Sequence, residues 1–511
     1  MEFRYRYIWL VCLFLMPMTF FAQSGYKKIL SYTDSRSLNI DDIIFHNDHL
    51  FLSGNAYTLG ADHWGHSLAE LDTNGVVIWQ KTYFDTSSTT NLIANSPCRF
   101  YFDGKRILAL DYIFERNNLN LVITDSVGNV LEQGEFINSE SSIFPQIILT
   151  YQKGIYLFGT IARNNYFTDC YMIKADSLGQ FQWIKYFGSS NYNDEPKEAI
   201  DNKDGTFIIS ATKYNNDYNI EPFGSHGWRR PWIFTVDTSG TIISQWIGEE
   251  NDPRTLGYGP LYHLKDSGWI VISSEYKSIT LLGNEYTAQA PTITRLDSNY
   301  NLVWKKYMSD YKGYWDRLED MEYDSLRDEF VAAGHRTIFY SDTTAELESW
   351  VVKFKADGEI LWSNSDSIWY DRTSSLTAWT SGLAIAPSGS IYVAGRLDHD
   401  NFPHREFGWL LKVSTDGCFT KLCQTASDKD IPAVDAFKIY PNPVHDYFEV
   451  EKPDRYSGSK LIIWDLYGRI VEKADLTEST TKIDCKLPTG IYFYTIFENN
   501  IILKSGKLIV V

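Results

Sequence analysis

Apolar and polar positions alternate along most of this chain in short runs, the two-residue period of strands that bury one face. One phrase recurs among these runs: an apolar strand, Asp, two residues, Gly, three residues, Trp. It stands as Leu71-Asp72-Thr73-Asn74-Gly75 with Trp79, and as Ala175-Asp176-Ser177-Leu178-Gly179 with Trp183. Weaker copies surround Asp125/Gly128, Asp237/Gly240, Asp297/Tyr300 with Trp304, Asp357/Gly358 with Trp362, and Asp416/Gly417. Asp bonds nearby backbone and Gly accepts positive φ, so each copy predicts a tight hairpin turn. The following Trp opens the next strand and is placed to pack on the neighbouring unit.

The turn positions 75, 128, 179, 240, 300, 358 and 417 are separated by 53, 51, 61, 60, 58 and 59 residues, a mean of 57. So regular a period signals stacked or radial units. Within each period a second strand pair ends in Gly, as in His49–Gly54, Gly154–Gly159 and Ser390–Gly395. Three to four strands per period with long polar connections describe the blades of a β-propeller. Lys28-Ile29-Leu30-Ser31-Tyr32 resembles Trp79–Tyr83 and Trp304–Tyr307, so it supplies the first blade's opening strand. The expectation is an all-β chain: about seven blades over residues 23–423, with the segment after Gly417 pairing back into the first blade. A polar linker, residues 424–437, leads to a compact antiparallel β-sandwich at 438–511. Its strands are read at Phe448–Val450, Lys460–Leu466, Gly490–Phe497 and Lys507–Val511.

Composition changes this picture little. Aromatics reach 15%, with 34 Tyr, 29 Phe and 16 Trp, which favours strands. The formal charge of −18 argues against nucleic acid, which needs clustered Lys and Arg. Arg4 and Arg6, an apolar run from Ile8 to Phe21 and then Ala22-Gln23 make a secretory signal peptide, residues 1–22, cut between Ala22 and Gln23. No later stretch is apolar enough to span a membrane as a helix. Export permits disulfides, and Cys418 with Cys423, five residues apart across a turn, are the expected pair.

The tail carries the most specific signal. Tyr440-Pro441-Asn442-Pro443 opens it, followed by Asp465-Leu466-Tyr467-Gly468-Arg469. Asp484 with Leu487-Pro488-Thr489-Gly490-Ile491-Tyr492 comes next, and Gly506-Lys507-Leu508-Ile509-Val510 closes it. These four blocks resemble the type A C-terminal sorting domain of the type IX secretion system. The resemblance implies passage through the periplasm, delivery outside the cell or to its surface, and the secretion machinery as a partner.

The blades hold no zinc-protease helix, P-loop, nucleophile elbow or Ca²⁺ loop of the required spacing. The repeated phrase resembles the tryptophan-docking turn of quinoprotein-like propellers, but no two cysteines here are adjacent. It differs by one residue from the aspartate box of sialidase-like propellers. No catalytic residue, metal ligand or cofactor is assigned. Three histidines stand before equivalent strands and are candidates for a shared ligand-binding mouth: His63 with Trp64 and His66, His226 with Trp228, and His404 with Trp409. Trp228-Arg229-Arg230-Pro231-Trp232 could stack on sugars, with Trp232 in the core as the plainer reading. Asp316, Glu319, Asp320, Glu322 and Asp324 read as a solvated acidic loop, with Ca²⁺ as the sharper alternative. The function expected is a non-catalytic binding or structural module for a glycan or protein ligand. A glycan-directed hydrolase or lyase would instead bring two or more carboxylates together in the central opening.

Overall fold

The computed structural model describes residues 25–30, 35–58, 64–83, 100–113, 118–137, 143–163, 167–189, 191–214, 229–249, 255–281, 284–309, 316–341, 344–368, 376–399, 406–419, 437–452, 458–465, 470–498 and 501–511. The chain divides into two compact units, residues 1–421 and 422–511. Every regular element among the described residues is a strand.

In the first unit the strands form seven four-stranded antiparallel sheets. Six of these blades are contiguous in sequence, at residues 35–83, 100–137, 143–187, 193–247, 255–307 and 317–366. From the second blade to the seventh the first strands of successive blades contact one another, Ser35–His46 of the first blade packs on the seventh, and Phe51 and Leu68 of the first pack on Phe100 and Ile107 of the second. The ring is therefore a closed propeller.

Closure differs from the sequence expectation. The seventh blade takes Leu376–Ile385, Ile391–His399 and Glu406–Val413 from the chain's far end, and its outermost strand is the N-terminal Tyr26–Leu30. The resemblance of this strand to Trp79–Tyr83 and Trp304–Tyr307 is one of position, since both of those are outermost strands. It opens no blade of its own; it completes the last one. Tyr26 lies opposite Lys412 and Leu30 opposite Gly408. Lys27 reaches the sixth blade at Asp366 over 2.5 Å, while the Tyr26 hydroxyl donates to the Thr73 carbonyl of the first. Strand Tyr26–Leu30 thus ties three blades together.

In the first six blades the repeated phrase is the hairpin between third and fourth strands, and in the seventh it follows the third strand. In the first blade Gly75 N–H donates to Asp72 O, and Asp72 Oδ1 accepts from Asn74 and Val76 N–H at 2.9 and 2.8 Å. The same pattern returns at Asp125, Asp176, Asp237 and Asp297. Each turn glycine packs on the outermost strand of the preceding blade: Gly128 on Trp79, Gly240 on Trp183, Gly358 on Trp304 and Gly417 on Trp362. Tyr300 breaks the rule with φ of 64° on a bulky residue. Its ring compensates by stacking on Trp246 at 5.1 Å and Trp269 at 5.8 Å.

The second-strand glycines lie inside their strands rather than ending them. These strands run on to Thr58, Arg163 and His399. Each glycine faces a bulge in the innermost strand, where a Cβ would overlap a carbonyl oxygen: Asn39 for Gly54, Phe144 for Gly159, Arg317 for Gly334 and Trp379 for Gly395.

In the second unit a three-stranded sheet (Lys438–Tyr440, Tyr447–Glu451, Thr480–Asp484) faces a four-stranded one ordered Ile470–Leu476, Ser459–Trp464, Gly490–Glu498, Ile501–Val510. Lys438–Tyr440, Ile470–Leu476 and Thr480–Asp484 are three strands beyond those read from the sequence, because their exposed residues blur the alternation. Phe448, Leu461, Ile496 and Leu508 fill the space between the sheets.

Candidate functional site: an acidic central channel

The inner edge of each blade turns backbone amides toward the ring axis, where no further strand can pair with them. The innermost strands answer this with bulges, at Ile40/Asp42, Pro145/Ile147, Pro196/Glu198, Leu318/Asp320 and Thr380/Gly382. At three of these a carboxylate accepts the next residue's N–H: Asp42 from Ile43 at 2.9 Å, Glu198 from Ala199 at 3.2 Å and Asp320 from Met321 at 2.8 Å. Two carboxylates also cross to the seventh blade. Asp320 Oδ2 accepts from Leu383 N–H and Glu322 Oε2 from Ile385 N–H, both at 2.9 Å.

The outcome is a cavity of about 520 Å³ to which the first, fourth and sixth blades contribute Asp42, Glu198, Asp201, Asp320 and Glu322. Tyr262 and His263 of the fifth blade complete the wall. Burial, reinforced by Asp320 and Asp42, pushes the Glu322 carboxyl up to about 8. It holds its proton at neutral pH among acidic neighbours. His263 stacks on Trp269 at 4.3 Å, and burial moves its pKa down despite Asp266. The channel can therefore offer carboxylates, one carboxylic acid and two aromatic polar groups to a ligand. Among the described residues no group of three or more His, Cys, Asp or Glu side chains could hold a metal ion.

The acidic run at Asp316–Asp324 is corrected by this geometry. It is the sixth blade's innermost strand, Arg317–Asp324, with Asp320 and Glu322 on backbone amides and the channel wall, Glu319 paired with Arg317 and Asp324 with Arg327. Asp42, Glu198 and Asp201 carry no motif that singles them out in the sequence. For Asp42 and Glu198 the signal is an acidic residue followed by two apolar ones at the bulge, Asp42-Ile43-Ile44 and Glu198-Ala199-Ile200, which the third blade matches with an amide as Gln146-Ile147-Ile148; Asp201 has no such mark.

His63, His226, Trp228 and His404 lie outside the described residues. Trp64 begins the strand Trp64–Asp72, opposite Tyr57. Trp409 is corrected from ligand candidate to core: it is fully buried among Val331, Val351 and Leu411, with its indole N–H donated to Arg396 O at 3.1 Å. His66 is likewise buried, held near Ser53 Oγ at 3.3 Å, and burial lowers its pKa to about 4. Trp232 stacks on Phe234 at 4.1 Å inside the core. Ala22, Gln23 and Cys423 fall outside the described residues; Cys418 directly follows the Ser414–Gly417 turn.

In the tail the signature blocks converge. Asn442 Nδ2 donates to Lys507 O at 2.7 Å, and its Oδ1 accepts from Ile509 N–H at 2.9 Å. Val444 then runs alongside Val510, with Val444 N–H donated to Ile509 O and Val511 N–H to Val444 O. The Tyr440–Pro443 opening thereby clasps the closing block. Gly490 lies opposite Val510, Gly506 opposite Tyr494, and the Tyr492 hydroxyl donates to Pro488 O at 2.8 Å. Leu487 packs on the sandwich core. Asp465 ends its strand's described stretch, and Gly468 and Arg469 lie outside the described residues.

Residues 438–511 match the family described as the secretion system C-terminal sorting domain. This domain marks export by the type IX secretion system to the cell surface or beyond. No curated protein sequence matches the chain. Among solved structures, an ulvan lyase of polysaccharide lyase family 25 is similar over 79% of this chain and 100% of its own, at 10% identity and TM-score 0.47. The β-propeller domain of the Trilobed protease from Pyrococcus furiosus is similar over 74% and 94%, at 9% identity and TM-score 0.38. A subtype N10 neuraminidase-like protein of influenza A from a little yellow-shouldered bat is similar over 77% and 98%, at 8% identity and TM-score 0.36.

Proposed function

We propose that this is an exported binding protein whose propeller takes a cationic group of its ligand, on a glycan or a protein, into the acidic central channel. The observation that carries this reading is the convergence of Asp42, Glu198, Asp201, Asp320 and Glu322 from three blades on one cavity. Oxygens of four of these carboxylates already accept backbone N–H bonds, which suits a fixed electrostatic lining better than groups that must exchange protons or attack a substrate. Export supplies the context: the sorting tail takes the propeller outside, where extracellular glycans and proteins are its neighbours.

The test is a glycan and basic-peptide array probed with the full mature chain, followed by titration of the best ligand against Asp320→Asn. Amine-bearing or basic ligands should bind with an affinity that falls as salt rises, and Asp320→Asn should weaken them by roughly tenfold. Binding confined to neutral or anionic ligands would refute the channel as the site.

A second reading, a glycan hydrolase or lyase, is favoured by one feature. Protonated Glu322 beside Asp320 is the split acid and base pairing that glycosidic chemistry uses. Release of shorter chains from a polysaccharide, lost in Glu322→Gln, would favour this reading over binding alone.

A further inference from the structure

We infer that the outer face of the four-stranded sheet in the second unit is the surface that the export machinery grips, an inference that rests on the sorting role of that unit. The two outer faces of this sandwich differ in chemistry. On the three-stranded sheet Lys438, Glu449, Glu451 and Lys482 point outward, with Lys438 and Glu451 paired at 3.4 Å and Lys482 lying over the Tyr447 ring at 3.7 Å. On that face the exposed rings of Tyr440 and Tyr447 stand among these charges. The four-stranded sheet has an outward ion pair of Lys460 with Asp475 toward one edge, and elsewhere turns an apolar stripe outward.

The registers define the stripe. Along Gly490–Glu498, Tyr492, Tyr494 and Ile496 point into the core, so Ile491 and Phe493 point away and are 42% and 46% exposed. Phe493 has Trp464 on one side and Lys507 on the other, and Ile491 lies opposite Ile509. Trp464, Phe493, Ile491 and Ile509 thus form one patch across three adjacent strands, of the kind that marks a protein contact.

The sorting signature identifies the occupant. Two of its four blocks contribute strands to this face, the one ending at Tyr492 and the closing Gly506–Val510, and a third begins at Asp465, directly after Trp464. The fourth, Tyr440–Pro443, holds the edge of the terminal strand through Asn442. Charge separates the machinery from a second copy of this chain. Lys507 is exposed on this face, and a second copy would bring another Lys507 against it. An export component presenting an apolar surface with a carboxylate meets the stripe and its lysine together.

The experiment follows delivery of the full-length chain in a bacterium with a type IX system, comparing medium and cell-surface fractions with periplasm. Phe493→Ser combined with Ile491→Ser should cut delivery by roughly tenfold, as expected when anchor side chains are removed from an interface. Lys507→Glu, on an exposed side chain that cannot unfold the sandwich, should cut it as well, while Lys482→Glu on the opposite sheet should be delivered normally. Normal delivery of the Lys507→Glu and double variants would overturn the inference, as would an equal loss with Lys482→Glu. Conversion of the purified chain from dimer to monomer by the stripe variants would assign the face to a second copy, and a lowered propeller melting temperature would assign it to the propeller; either result also overturns it. A chain lacking residues 438–511 serves as reference. If that chain is still delivered, the sorting role itself fails; if it is retained while the stripe variants are delivered, only the docking face fails.

Discussion

Replacing Glu322 by Gln should flatten part of the pH dependence of propeller stability. In the folded ring, burial and then the charges of Asp320 and Asp42 lift this carboxyl from its ordinary 4.5 to about 8. Unfolding returns it to the ordinary value. Between those two values the folded state binds more protons than the unfolded state, so stability falls as pH rises. The contribution is whole below the ordinary pKa and is lost as pH climbs through about 8. A tenfold gain in proton affinity is worth about 1.4 kcal/mol, so a carboxyl raised this far contributes at most roughly 4–5 kcal/mol. Glu322 borders a wet channel, so screening should leave about 2–3 kcal/mol. Gln keeps an acceptor for Ile385 N–H and nearly the same volume. The variant should match the native chain near pH 5 and exceed it by several degrees in melting temperature near pH 9, since about 1 kcal/mol moves a large domain by a few degrees at most. Asp194, whose pKa burial also raises, is common to both proteins and cancels in the difference. Thermal unfolding of both full chains across that pH range checks this. Parallel curves would show that Glu322 is not held protonated by its surroundings, and the account of the channel's electrostatics would fall with it.

Three further outcomes follow from the packing. Gly334→Ala places a Cβ on the carbonyl of Arg317 and should cost about 3 kcal/mol or more, whereas Gly490→Ala, whose nearest neighbour would be 3.5 Å away, should stay within about 1 kcal/mol; urea unfolding distinguishes them. Tyr300→Gly relieves a left-handed φ yet removes two ring stacks, so it should destabilise the ring by about 1–3 kcal/mol, and a stabilised variant would refute the role given to the rings. Asn442→Ala removes two hydrogen bonds to the terminal strand and should speed amide exchange at Ile509 by roughly tenfold, with unchanged exchange counting against the clasp.

The ring is legible because its turns impose the same demand seven times over. Each turn needs one residue of positive φ, in five copies three residues after an Asp, and a side chain of the preceding blade covers that residue. Those requirements act on neighbouring residues, so they leave a phrase in the sequence. Even the exception obeys them, since Tyr300 replaces the absent glycine by stacking on Trp246. Closure is hidden for a different reason. Strand Tyr26–Leu30 resembles the outermost strands at Trp79–Tyr83 and Trp304–Tyr307, and nothing local says whether such a strand begins a blade or completes one that starts some 350 residues later. Position in a ring is a property of pairing, and pairing across the whole chain has no local mark.

The channel is hidden more deeply, and the cause lies in what its carboxylates do. A motif search succeeds when chemistry fixes the spacing between residues. Here the spacing is fixed by bulges: Asp42, Glu198 and Asp320 each sit where an extra residue in the innermost strand leaves the next amide unpaired. An acidic side chain at that point is first a backbone acceptor, and becomes part of a lining only because three blades aim their bulges at one axis. Asp320 and Glu322 are therefore visible as acidic residues and yet suggest a loop, since an isolated strand with such a run has no reason to be inside anything. The same logic explains why the sorting tail can be read almost block by block. Its blocks lie within one small unit of about seventy residues, where Gly490–Tyr492 pairs directly with Leu508–Val510 and Asn442 bonds the same terminal strand, so proximity in space and a recognisable order in sequence coincide, as they do not for residues contributed by distant blades of a ring.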